Sequence, residues 1–158
     1  TLVHESPSAA QLAEIAVAAA AKARELGLEP RVALLSYANF GNPPGPHGDR
    51  VREATALLDG SNAGFEYDGE MSADVALDHR LMRQLYPFCR LSGPANILVM
   101  PGLHSANITA KLLPRLGGGT AVGPLLIGLA SPVQIVNVGA TVSDLVNLAA
   151  LAAHDAIG

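Results

Sequence analysis

The sequence predicts an α/β fold, a doubly wound, mainly parallel sheet flanked by helices. Short apolar runs alternate with stretches of helical periodicity, and nearly every run ends in a loop containing glycine or proline, which is the βαβ pattern of such sheets. The clearest instance lies between Pro132 and Asp144. There the β-branched run Val133-Gln134-Ile135-Val136-Asn137-Val138 feeds a turn at Gly139, and a helical pattern continues to Ala156. Sheets of this class bind ligands beyond the carboxyl ends of their strands. The loops of interest are therefore residues 36–41, 68–74, 101–107 and 137–144.

Each element has its own signal. Ser8-Ala9-Ala10-Gln11 is a capping-box start, after which Leu12, Ile15, Ala16, Ala19 and Ala23 recur at helical spacing until Gly27 ends the helix. Arg31-Val32-Ala33-Leu34-Leu35 is a continuous apolar run of the kind that forms a strand buried on both faces. A loop rich in glycine and proline follows, then a helix from Asp49 to Leu58. Gly64-Phe65-Glu66-Tyr67 reads as a weaker strand opening onto a loop at Asp68-Gly69-Glu70. One helix is expected from Ala73 to about Leu85, stopped near Pro87, and Asn96-Ile97-Leu98-Val99-Met100 is the next strand. A further helix runs from Ser105 to Leu116, with a kink or early end expected at Pro114 because proline lacks the helical N–H. Gly117-Gly118-Gly119 closes it. Ala121 to Leu129 and Val133 to Val138 are two more strand candidates before the last helix, Thr141 to Ala156.

Composition bounds the function. With 158 residues the chain is long enough for one domain with a full core, and 49% hydrophobic residues with a mean hydropathy of +0.30 exclude disorder. A net charge of −4 and only 4% aromatic residues argue against a nucleic-acid surface. No apolar run reaches the roughly 18 residues of a membrane span. The start at Thr1 shows neither an initiator Met nor a basic-then-apolar leader, which points to a piece of a longer chain without a visible signal peptide. The single cysteine, Cys89, forms no intrachain disulfide and suits a reducing cytoplasm; its apolar neighbours mark it as a packed thiol rather than a nucleophile.

Familiar cofactor motifs are absent: no G-x-G-x-x-G follows a strand and there is no G-x-x-x-x-G-K-[ST] loop. The histidines His4, His47, His79, His104 and His154 have no metal-ligand spacing, so no metal is expected; His104, just past a strand end, reads chiefly as a helix-cap residue. The loop Ser36-Tyr37-Ala38-Asn39-Phe40-Gly41 can either hydrogen-bond a phosphate or amide or merely close a turn. Asp68, Glu70 and Asp74 gather three carboxylates around one loop, as a pocket wall or as complements to a helix dipole, and Gly69 between two acids suggests a close approach. Asn107 and Lys111, four residues apart, share a helix face. A strand feeding a helix N-terminus at Asn137, Gly139 and Thr141 offers an anion free N–H groups but no cation.

Taken together, these segments resemble the phosphate acetyl/butyryl transferase family. The resemblance is carried by Ser36-Tyr37-Ala38-Asn39-Phe40-Gly41, Asp68 through Asp74, Pro94 through Val99, Ala106-Asn107-Ile108 through Lys111, Gly123 through Leu129, and Pro132 through Asp144. It covers nearly the whole chain in the family's order and implies one lobe of a two-lobed fold, the C-terminal part of it, over residues 1–158. Glu70-Met71 after Asp68-Gly69, and the ending Val142-Ser143-Asp144-Leu145-Val146-Asn147-Leu148, are similar to the transferase-like C-terminal domain of large bacterial NADP-dependent malic enzymes. There such a domain is thought to respond to acetyl-CoA, while NADP and a divalent metal belong to the malic enzyme core upstream.

The resemblance also marks a departure. Val138 stands where the transferases carry an arginine that holds phosphate, while Asp144 matches the acid proposed to act on the CoA thiol. Losing such a charge-stabilising group commonly costs about 2.7–4 kcal/mol of barrier, so no catalytic residue is expected here. The residues expected to bind a CoA ester are Ser36, Tyr37, Asn39, Gly41, Asp68, Gly69, Asn107, Lys111, Asn137, Gly139, Thr141 and Asp144. The alternatives are an active phosphate acetyltransferase, and a lobe that serves chiefly to form a homo-oligomer. No nucleic acid or membrane partner is expected.

Overall fold

Strand β1 (Arg31–Leu35) lies in the middle of a three-stranded parallel sheet in the order β2-β1-β3, with β2 at Glu66–Met71 and β3 at Ile97–Val99. The structure, a computed structural model, describes residues 3–118 and 121–157. The chain divides into two units, Thr1–Ala110 and Lys111–Gly158. The sheet belongs to the first.

The alternation of side chains along β1 decides which helices sit where. Val32 and Leu34 point to one face and join Leu12, Ala16 and Ala20 of α1 (Ala9–Glu25) and Val51, Ala54 and Leu58 of α2 (Pro46–Asp59) in one core. Ala33 and Leu35 point to the other face. There they meet Met71, Val75 and Ala76 of α3 (Ala73–Leu77), and Met82 of α4 (His79–Leu85). Helices therefore cover both faces, as the doubly wound reading requires. The buried stripe of α1 is Ala9, Leu12, Ala16, Ala20 and Ala23. Small residues at four of these five positions let the helix approach closely. Its start is the expected capping box: Ser8 Oγ accepts from Gln11 N at 3.2 Å and Gln11 Oε1 accepts from Ser8 N at 2.9 Å. At its end Gly27 adopts φ +77°, and Leu28 N donates to Ala23 O at 2.9 Å.

Three expectations need correction within this unit. Strand β2 does not stop at Tyr67 but runs through Asp68, Gly69, Glu70 and Met71, all buried. Asp, Gly and Glu have weak strand propensity, so local preference reads as a loop; partners distant in sequence override it. Glu70 is the extra residue of a bulge, since Leu34 pairs with Gly69 and Leu35 with Met71. The expected single helix after it is two, broken at Asp78, whose carboxylate accepts from Leu81 N at 3.0 Å and starts α4. Helix α2 begins at Pro46, before Asp49, because proline is preset for the first helical position.

The second unit holds the end of α5 (Leu103–Leu116) and α6 (Val142–Ile157). Pro114 does not end α5 early; the helix continues to Leu116, and Gly117 N closes it on Leu113 O at 2.8 Å. Gly119 of the glycine triplet lies outside the described residues. The strands expected from Ala121 to Leu129 and from Val133 to Val138 do not form. An apolar run becomes a strand only beside a ladder neighbour, and among the described residues it finds none. Instead the Gln134 side chain brackets one residue: Leu126 N donates to Gln134 Oε1 at 2.9 Å, and Gln134 Nε2 donates to Leu126 O at 3.3 Å. Val122, Leu129, Val133 and Val138 are left exposed.

At Gly69 the sheet leaves no space for a side chain. A Cβ there would lie 2.7 Å from Leu34 O and 2.9 Å from Leu34 Cβ. Gly69→Ala is expected to lower unfolding stability by about 2–3 kcal/mol, read as a fall in the urea midpoint at unchanged slope.

Candidate functional site

With strand order β2-β1-β3, the chain leaves β1 to one side and later returns on the other, so the crevice beyond β1 and β3 is the topological switch point where such sheets bind ligands. A cavity of about 300 Å³ opens there. Ser36 and Tyr37, directly after β1, form one wall; Pro101 and Gly102, after β3, with His104 and Ser105 of the first turn of α5 form another. His47 and Arg50, from the start of α2, close it, with Glu5 and Ser6 of the N-terminal segment at its border. The backbone of that segment is tied down by Leu103 N, which donates to Glu5 O at 3.0 Å.

The loop after β1 divides its polar groups between the cavity and the sheet. Ser36 and Tyr37 stay at the cavity. Asn39 and Gly41 are turned to β2: Asn39 Oδ1 accepts from Ser72 N at 2.7 Å and from Ser72 Oγ at 3.0 Å, while Gly41 N donates to Glu70 Oε1 at 2.6 Å. Phe40 N donates to Glu70 O at 2.8 Å and Ser36 N to Met71 O at 2.9 Å, so the loop is laced along the end of β2. Arg52 Nη1 also donates to Glu70 Oε1, at 2.9 Å. Glu70 is wholly buried, and its Oε2 has no hydrogen-bond partner among the described residues. This glutamate holds the loop that carries Ser36 and Tyr37.

Asp68 and Gly69 are built into the sheet rather than into a loop. Asp68 Oδ2 accepts from Arg90 N at 2.8 Å, and its Oδ1 accepts from Gly69 N at 2.9 Å and Arg90 Nη2 at 3.3 Å. Arg90 also donates to Asp59 and lies 4.7 Å above the Tyr67 ring, clamping α2 to β2. That arginine holds the Asp59 carboxyl below its usual range. The close approach suggested by Gly69 is to Leu34 of β1. Asp74 sits in the first turn of α3, its carboxyl lowered chiefly by the Ser72 hydroxyl, as the helix-start reading has it.

Asn107 and Lys111 stand one turn apart on α5, Asn107 half-buried and Lys111 exposed. In the second unit the turn before α6 presents Asn137, Val138 and Gly139, with the Val138 side chain fully exposed. Asp144 is engaged locally. Its Oδ2 accepts from Thr141 N and from Thr141 Oγ1, both at 2.8 Å, and Asp144 N donates back to Thr141 Oγ1 at 3.2 Å. These bonds keep the Asp144 carboxyl below the usual range. The N–H of Thr141, one of the groups expected to receive an anion, is already donated to Asp144. The T-x-x-D spacing from Thr141 to Asp144 was the readable sign of that cap. His47 and Arg50 had no such sign, since only the fold brings the start of α2 beside the end of β3. Cys89 is buried, and burial pushes its thiol up to about 11.

Comparison with known proteins fixes the lineage. The family model described as "Phosphate acetyl/butaryl transferase" matches residues 1–153. The chain belongs to that family. It is 58% identical over 156 residues to an NADP-dependent malic enzyme of Rhizobium meliloti, covering 99% of this chain and 20% of that protein. It is also 43% identical over 148 residues to a phosphate acetyltransferase of Paracoccus denitrificans, covering 93% of this chain and 46% of that protein. Among solved structures, a phosphotransacetylase from Streptococcus pyogenes superposes with a TM-score of 0.93 at 37% identity, over 98% of this chain and 47% of that one. The chain therefore spans a fifth of its malic enzyme relatives and just under half of its transferase relatives.

Two measurements probe these contacts. Glu70→Ala strips Gly41 N–H and Arg52 of a buried acceptor and is expected to lower stability by about 3 kcal/mol or more, with faster amide exchange across residues 39–42 as its local signature. Cys89 is expected to resist a thiol reagent at pH 8 in the folded protein and to react fully in urea; rapid labelling without denaturant contradicts its burial.

Proposed function

We infer that this chain is the C-terminal, phosphotransacetylase-like domain of a longer NADP-dependent malic enzyme, where it binds acetyl-CoA or a related CoA ester as an effector. The observation that carries this reading is the turn from Asn137 to Thr141: it leads into the N-terminus of α6 while presenting Val138 in place of a cation. A helix start attracts an anion through its dipole, but this one lacks the positive side chain that stabilises charge developing in acyl transfer. The 58% identity to a malic enzyme supports the parent assignment. On this reading NADP, a divalent metal and malate belong to the upstream core, and this domain transmits CoA-ester binding to malate decarboxylation. The contributing groups in the first unit are Ser36 and Tyr37 at the switch point and Asn107 on α5; in the second unit they are Lys111 and the Gly139 turn. The exposed apolar residues Ile108, Leu112, Leu113 and Leu116 of α5 support a further part in homo-oligomer contacts. A cytoplasmic location fits the single buried thiol.

The second reading, an active phosphate acetyltransferase, draws support from the relatives of that name. One experiment on the full-length protein separates the two. Acetyl-CoA is expected to change the rate of malate-dependent NADP reduction, with Lys111→Ala weakening the response about threefold to tenfold, while phosphate causes no loss of thioester absorbance. A malate rate indifferent to acetyl-CoA defeats the effector reading, and steady phosphate-dependent thioester loss establishes the transferase.

A further inference from the structure

The second unit has apolar surface without a core. Among its described residues Leu148 alone is buried. Leu116 at the end of α5, Val122, Val133, Val136 and Val138 along the stretch between the helices, and Val146 on α6 all stand exposed. A piece of chain ordered around one buried leucine gains too little from apolar burial to offset the entropy of ordering it. Scattered exposed apolar residues are ordinary, but an apolar surface running through three successive segments marks a contact.

The stretch between the helices says what kind of contact. Residues 121–129 and 133–138 hold no charged side chain. Exposed sheet edges carry charge, so these runs have the composition of interior strands covered on both faces. From residue 121 to residue 136 no backbone group bonds another backbone group among the described residues. The two runs do not supply each other. Residues 130–132 are too few for the crossover that parallel neighbours need, and the Gln134 amide already takes the Leu126 N–H and C=O that a hairpin ladder would use. Each run therefore lacks a neighbouring strand from elsewhere.

The longer relatives have chain enough to supply it. The superposition on the Streptococcus pyogenes phosphotransacetylase takes in 98% of this chain at a TM-score of 0.93, so the second unit follows the same path there. It uses only 47% of that protein, which leaves more than half of it outside the match. A neighbour on the same polypeptide also arrives at a high effective concentration, which a separate molecule does not.

We propose that residues 121–129 and 133–138 are interior strands of a second sheet, whose neighbouring strands come from a segment preceding Thr1 in the same parent polypeptide. This rests on the reading that places the chain at the C-terminal end of a longer parent, and not on the effector. The second unit then belongs to a sheet begun by the upstream segment, separate from the sheet built on β1.

Hydrogen exchange on the full-length protein, followed by mass spectrometry, tests it. Peptides covering 121–138 are expected to exchange about a hundredfold or more slower than a free peptide. Val136 and Val17 are matched controls, 41% and 44% exposed in this structure. Val136→Asp is expected to speed exchange at least tenfold both in 121–138 and in peptides preceding Thr1, while Val17→Asp on α1 leaves both unchanged. A photo-cross-linking residue, Val138→benzoylphenylalanine, identifies the neighbour in a mixture of isotope-labelled and unlabelled protein. Cross-links are expected within one chain, to peptides preceding Thr1. The proposal is overturned if 121–138 exchanges at the free-peptide rate, if the two aspartate variants behave alike, or if the cross-links stay within residues 1–158. Cross-links joining labelled to unlabelled chains overturn it as well, because they assign the surface to a second copy. Malate-dependent NADP reduction by the same protein reports separately on the parent reading, so a chain without that activity fails there while exchange and cross-linking still decide the strands.

Discussion

Covering β1 from every direction is the constraint on which the first unit depends. Its two faces carry Val32 and Leu34 to α1 and α2, and Ala33 and Leu35 to α3 and α4. Its two edges are taken by β2 and β3. A strand so enclosed has no polar surface to spare, which is why Val32, Ala33 and Leu34 have no exposed area. It also dictates where a ligand can go. The cavity lies at the carboxyl end of the strand, where the chain leaves β1 for β2 on one side and later returns to β3 on the other. The loop at Ser36 and Tyr37 and the start of α5 inherit their positions from that path.

The acids of β2 show the same constraint acting against local preference. Asp68 and Glu70 lie where burial of a bare carboxylate is costly, and each is matched by an arginine and by backbone N–H groups. Asp68 draws on Arg90, and through it α2 is held to the sheet; Glu70 draws on Arg52 and on Gly41 of the loop beside the cavity. The two carboxylates are thus fasteners: one fixes a helix, the other a loop whose far end faces the crevice. Their unmatched atom, Glu70 Oε2, lies at the bulge, where the register between Leu34 and Leu35 shifts.

What could be read in the sequence followed from signals local to a few residues. The capping box at Ser8, the apolar run of β1 and the glycine ending α1 each carry their own physical reason, and the structure reproduces them. The family was legible because order and spacing of many short segments were preserved along the chain. Where reading failed, the deciding partner was distant: Arg90 and Arg52 make a strand of residues that prefer loops. At Asp78 a local signal was present, since its carboxylate caps Leu81 N, but the continuous helical pattern obscured it. Of the candidate site, Ser36 and Tyr37 were visible as a strand-end loop. Arg50 was not, because nothing in a helical arginine tells that its guanidinium meets the carbonyl of Pro101.

The Gln134 bracket on Leu126 has a practical side. One amide side chain satisfies a single N–H and a single C=O, standing in for what a neighbouring strand would do along the whole run. Beside it Val133, Ile135 and Val136 stay open to solvent with high β-propensity and no charge among them. An unpaired apolar stretch of this kind can be taken up as a strand by an extended chain, including another copy of itself. Handling of the protein then becomes a matter of concentration and of which strand arrives first. Recombinant pieces that end with this stretch bare will tend to self-associate during refolding, and a chain that carries its own matching strand will be spared that fate.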